Sequence, residues 1–135
     1  MVSLLLAAVL STVVTDQPAS QQDYAQAYRT AQQEGKPLVV VVGAEWCPAC
    51  VNLKSQTIAA MKRTGELSEV SMAIVDQDAE PELAAQLKRG RTIPQVIVFS
   101  QTPAGSWKRI QLTGFQTERT MQSVLNTAKQ LSNGS

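Results

Sequence analysis

The chain of 135 residues contains no histidine. That absence removes every Ser-His-Asp and Cys-His catalytic pair from within the chain. It also leaves a zinc site only two cysteines and carboxylates to draw on, a poor ligand set for that metal. Cysteine is nearly as scarce. There are two, Cys47 and Cys50, in a single Cys-x-x-Cys. A framework of several disulfides is therefore excluded, and any sulfur chemistry belongs to one place. Charge of one sign is also missing: twelve basic residues meet eleven acidic ones. No basic patch marks a nucleic-acid partner. No apolar run reaches the roughly 20 residues that span a bilayer as a helix.

What is present describes one globular domain. Hydrophobic residues make up 44% and charged residues 17%, far from the composition of a disordered chain. Val2 to Val14 is apolar apart from Ser3, Ser11 and Thr12. This run fits the apolar part of a secretory signal, although no Lys or Arg precedes it and no clean small-x-small site follows. A first strand or an N-terminal helix of the fold is the other reading. The polar stretch Asp16–Gln22 with Pro18 reads as a linker. The expected division is a signal-like segment and linker over 1–20 and a folded domain over 21–135. The first of these implies export, to a periplasm or another extracytoplasmic space, with membrane association where the N-terminal segment stays uncleaved.

Periodicity then sets out the elements. Tyr24, Ala27, Tyr28 and Ala31 predict a helix over 21–34, stopped by Gly35 and Pro37. Leu38–Val42 (LVVVV) reads as a buried strand. A helix runs from about Cys47 through Met61, with Leu53, Ile58 and Met61 facing inward and a break near Gln56–Thr57. Ser71–Asp76 is a strand. Pro81 opens a helix with Leu83, Ala84 and Leu87 on one face, stopped by Gly90. Gln95–Ser100 and Trp107–Thr113, joined by the turn chemistry of Thr102–Gly105, form an antiparallel hairpin. Thr117 caps a last helix with Met121, Val124, Leu125, Ala128 and Leu131 inward. The alternating first part asks for parallel strands with helical crossovers, and the hairpin adds an antiparallel edge. The fold class is α/β, a mixed sheet of about four strands flanked by helices.

The Cys-x-x-Cys follows a buried strand and opens a helix. The first amides of a helix lack partners within it and the dipole is positive there, so a thiolate at that end is stabilised. Thiol pKa values in such motifs fall from about 8.5 to roughly 3.5–7.5. Cys47 is expected to be the exposed nucleophile and Cys50 the more buried resolving thiol. Pro48 stiffens the turn. A second signal is Thr92–Ile93–Pro94–Gln95, a proline just before a strand. A cis bond there would set the Ile93 backbone beside the cysteines, offering an N–H and a C=O to an extended substrate. An inert disulfide or a metal-holding pair is the plainer reading of the cysteines. Lys88, Arg89 and Arg91 read as a solvated helix end, and Trp107 as packing.

Residues 37–50 (PLVVVVGAEWCPAC) with the later IPQ resemble the thioredoxin superfamily. The run AYRTAQQEGKPLVVVVGAEWCPAC is most similar to exported thioredoxin-like domains related to the C-terminal domain of the transmembrane reductase DsbD. The resemblance covers about residues 22–131. It implies a thioredoxin fold, Cys47 as nucleophile, Cys50 as resolving thiol and Pro94 as a cis-proline. It also implies that Trp46 shields the site and contacts partners, with Pro48, Ala49 and Ile93 shaping it. The family's buried aspartate, five residues before the motif's Trp, is here Val41, and its companion lysine is Met72. Proton transfer must then use water or an exposed group such as Glu45. The histidine that strong oxidants of the family carry in the motif is here Ala49, which argues for a reductant. The implied activity is a thiol–disulfide oxidoreductase, working as a monomer without an organic cofactor. Its implied partners are client proteins and an electron donor such as a membrane thiol reductase. The alternative is a thioredoxin-fold module for protein binding or metal handling whose cysteines rarely cycle.

Overall fold

A computed structural model describes residues 19–134 of the chain. The expected signal-like segment lies almost wholly outside the described residues. The described elements run in the order α1 (Ala19–Glu34), β1 (Leu38–Gly43), α2 (Pro48–Asn52), a π-helical stretch (Leu53–Ile58), α3 (Ala59–Arg63), β2 (Ser71–Asp76), α4 (Pro81–Leu87), β3 (Gln95–Gln101), β4 (Trp107–Thr113) and α5 (Glu118–Asn133). Helix α1 starts at Ala19, ahead of the expected Gln21 and inside the stretch read as linker. Ala and Gln are good helix formers, and nothing in Ala-Ser-Gln-Gln halts a helix once it has begun.

The sheet has the order β2-β1-β3-β4. All six residues of β1 are buried, because both faces of this central strand are covered. Successive side chains of a strand point to opposite faces. Val39 and Val41 accordingly join Leu53, Ile58, Met61, Val96, Val98, Met121 and Leu125 on one side. Leu38, Val40 and Val42 join Ala27, Ala31, Ala73, Val75, Ala84, Leu87 and Ile97 on the other. Leu83 and Val124, expected in the core, are half-buried and pack against its margins. Trp107 does pack, stacking on Tyr28 with ring centroids 6.0 Å apart. Tyr24 lies beside Tyr28, and burial together with that neighbour pushes its phenol pKa up.

Strands β1 and β2 are parallel, as the alternating pattern asks, but β3 runs antiparallel to β1. The reason is length. A helix rises about 1.5 Å per residue and a strand about 3.3 Å. Helix α4, Pro81–Leu87, is far too short to carry the chain back along β2. The chain stays at the end where β2 finished, and β3 starts there, Gln95 pairing with Val42. The end of β1, the end of β2, the start of β3 and the end of β4 therefore meet at one edge of the sheet.

The expected break near Gln56–Thr57 is a change of helical pitch. Leu53–Ile58 forms π-type turns, and the helix continues through α3. Buried Thr57 sits in this stretch and donates to the carbonyl of Gln116 at 2.7 Å. One such wide turn rotates the following residues, so that Ile58 and Met61 share the core with Leu53.

Candidate active site

The site is assembled at that shared edge. Beyond β1 the chain turns through Glu45 and Trp46, both exposed, into Cys47. Cys47 is the N-cap of α2, with an extended backbone (φ −90°, ψ 112°). Its Sγ accepts the backbone N–H of Cys50 at 3.2 Å. Pro48 takes the first helical position, where a missing N–H costs nothing. Cys47 and Cys50 are joined as a disulfide, with Cα atoms 5.2 Å apart.

Cys47 is less exposed than expected. It is 6% exposed against 1% for Cys50, so the order holds while both are buried. Ala44, Ala49 and Ile93 pack around the pair. Cys47 Sγ lies 4.0 Å from the carbonyl oxygen of Ile93. With the sulfur in a disulfide there is no proton to donate, so this is a contact and not a hydrogen bond.

The Ile93–Pro94 peptide bond is cis and Pro94 is buried. The carbonyl of Pro94 accepts the N–H of Gly114 at 2.8 Å, fixing the proline against the end of β4. Gly114 has φ +87°, a conformation that costs a glycine little. The paired register of β3 begins at Gln95, so Ile93 lies beyond the ladder. Its backbone therefore stands next to the cysteines without a strand partner.

Trp46 is 67% exposed. Its indole Nε1 donates to Asp78 Oδ2 at 2.6 Å, tying the loop after β1 to the loop after β2. Pro48 is exposed and Ala49 half-buried. The structure thus brings Cys47, Cys50, Ala49 and Ile93 together directly, with Pro94 behind Ile93 and Trp46 and Pro48 on the rim. Val41 is buried in the core. Among the described residues no group of three or more His, Cys, Asp or Glu side chains is placed to hold a metal ion.

Three features went unread in the sequence. The first is Gly43, where a Cβ would sit 3.0 Å from both Cβ and Sγ of Cys50. A glycine ending a β-branched run just before the motif was the available signal. Gly43→Ala is expected to push α2 off β1 and to destabilise the oxidised protein by about 1–3 kcal/mol, measured by urea unfolding. A wild-type midpoint would show that the helix yields freely. The second is Asp78, the partner of Trp46. The third is Gln95, 0% exposed, whose side chain bonds the backbone of Arg89 twice, the carbonyl of Thr92 and the side chain of Gln111. It ties down the loop that leads to Ile93–Pro94.

The sequence profile of the Thioredoxin-like family matches residues 19–100, more than half of the chain. The chain belongs to the thioredoxin-like family. No curated protein matches it by sequence. Solved structures share the architecture. The thioredoxin of Fasciola hepatica is 24% identical, with 78% of this chain and 93% of that one covered and a TM-score of 0.60. The Thermus thermophilus thioredoxin is 23% identical, covering 78% and 83%, with a TM-score of 0.63. A chloroplastic thioredoxin z is 17% identical, covering 78% and 88%, also at 0.63. At these identities the likeness establishes the thioredoxin fold, a four-stranded mixed sheet between helices. A thioredoxin-like fold that carries a bonded Cys47–Cys50 pair points to thiol–disulfide redox function.

Proposed function

We infer that this thioredoxin-like chain reduces disulfides in client proteins. The observation that carries the reading is the position of Cys47: N-cap of α2, Sγ accepting a helix amide, beside an unladdered stretch of backbone at Ile93. Amides aimed at the sulfur favour the thiolate, the form that attacks. The exchange balances in two steps. The Cys47 thiolate attacks one client sulfur, forming a mixed disulfide and releasing the other as a thiolate, which takes a proton from solvent. Cys50 then gives up its proton and attacks Cys47. The Cys47–Cys50 bond forms, the mixed disulfide breaks, and the client leaves with two electrons. An electron donor restores the dithiol.

The client approaches as an extended segment. The backbone of Ile93 can pair with it as an added strand does, which gives affinity with little sequence preference. Trp46, Pro48 and Ala49 form the rim it crosses. The missing histidine at Ala49 favours a reductant. The apolar N-terminal run supports an exported chain supplied by a membrane thiol reductase, in the manner of the DsbD-related domains that the sequence resembles.

The test is the reduction potential of the Cys47–Cys50 pair, by equilibration in glutathione or dithiothreitol buffers. A value near the thioredoxin end, about −270 mV, is expected. A value near about −120 mV would make the protein an oxidant. Absence of any reversible two-electron couple would leave a binding module in its place.

A further inference from the structure

Resolution requires Cys50 to lose its thiol proton, yet Cys50 is 1% exposed. Burial among apolar groups disfavours a thiolate. Val41 offers no acid behind it. The structure offers something else: a cavity of about 20 Å³ against Cys50. Such a space admits one water molecule, for which about 10–15 Å³ is enough. Its apolar walls are Val41, Gly43, Ala44, Ile74 and Val75.

Two charged residues complete the wall, Lys54 and Asp76, both half-buried. Lys54 follows Cys50 by four residues, one turn along the same helical face. Asp76 ends β2, and its Oδ1 accepts the N–H groups of Asp78 at 2.8 Å and Ala79 at 3.2 Å. That oxygen is committed to the turn. Ala44 and Ile93, which pack on the cysteines from the other elements, carry no charge, and Glu45 is not part of the cavity wall.

We propose that Lys54 is a positioning residue for the resolving step, stabilising the Cys50 thiolate across this cavity. The proposal rests on the oxidoreductase reading above. The thiol of Cys50 passes its proton to water in the cavity and so to solvent. The thiolate left behind shares the cavity with Lys54, and a nearby ammonium charge favours the charged form. It then closes on Cys47 Sγ, and the departing sulfur takes the electron pair.

The experiment uses the reduced full-length protein and 5,5′-dithiobis(2-nitrobenzoate). Attack by Cys47 forms a mixed disulfide and releases one coloured thiolate; attack by Cys50 releases the second. Stopped-flow records of the second release over pH give its midpoint for wild type, Lys54→Met and Lys54→Arg. Lys54→Met is expected to raise the midpoint by about one pH unit and to slow the release about tenfold near neutrality. Lys54→Arg is expected to keep the wild-type profile. If Lys54→Met shares the wild-type midpoint, or if Lys54→Arg behaves like Lys54→Met, the proposal is overturned and the oxidoreductase reading stands. If wild type gives no second release at all, Cys50 does not resolve, and both fall.

Discussion

Cys47→Ala protein is expected to lose all catalysed disulfide reduction, leaving only the background rate of the added reductant. Cys50→Ala protein is expected to accumulate mixed disulfides instead. The two cysteines differ in ways that prevent exchange of roles. Cys47 sits at the helix start, where its sulfur accepts the Cys50 amide and lies against the Ile93 carbonyl. Cys50 lies one turn inside, against Gly43, so close that even a Cβ on that glycine would crowd it. Exchange depends on access to the attacking sulfur, and Cys47 is the more exposed of the two, 6% against 1%. Insulin turbidity with dithiothreitol measures the first loss, and intact-protein mass after incubation with an oxidised client shows the trapped adduct. Undiminished activity in Cys47→Ala would remove the nucleophile from the mechanism. Failure of Cys50→Ala to trap any adduct would remove the resolving step.

Much of this arrangement was legible in the sequence because the responsible signals are local. LVVVV predicts a strand buried on both faces. Its Cys-x-x-Cys, placed between strand and helix, predicts the N-cap position. Proline in the first turn places the starts of α2 at Pro48 and α4 at Pro81, and Thr117 places the start of α5 as its N-cap. The sequence was less informative wherever geometry depends on length or on distant partners. The direction of β3 follows from α4 being too short for a parallel return, a matter of ångströms that alternation of elements does not encode. The π-type turns at Leu53–Ile58 accommodate packing against Met121 and Leu125, far along the chain. Part of the burial of Cys47 comes from Ile93, 46 residues away. The proximity of Ile93–Pro94 to the cysteines rests on a proline just before β3 and the cis bond it permits. Asp78, Lys54 and Gln95 had no motif to mark them; each acquires its role from a loop that tertiary structure brings alongside.

Gln95 illustrates how much a residue without a motif can hold. Its Oε1 accepts the Arg89 N–H at 3.0 Å and the Gln111 amide at 2.6 Å. Its Nε2 donates to the carbonyls of Arg89 and Thr92, both at 2.8 Å. Every donor on this buried amide is used. Gln95→Leu keeps nearly the same volume while leaving an N–H and two carbonyls of the loop before Ile93 without partners. Each polar group stranded in this way costs about 1–3 kcal/mol, and because the loop can relax toward solvent the losses do not simply add. The expected destabilisation is about 3–4 kcal/mol, at the high end for a single substitution. In urea the midpoint should fall with the slope unchanged. Gln111→Leu removes one bond to Gln95 and the bond that its Oε1 accepts from Arg109, leaves the three bonds to the loop backbone in place, and should cost about 1–2 kcal/mol. The comparison separates the network from mere polarity: equal losses in the two variants would mean that Gln95 does not anchor the loop. A midpoint for Gln95→Leu equal to wild type would mean that the Arg89–Thr92 backbone finds water as readily as it finds Gln95. The position of Ile93 against Cys47 would then have to be maintained by the Pro94–Gly114 bond and the packing of the cysteine pair.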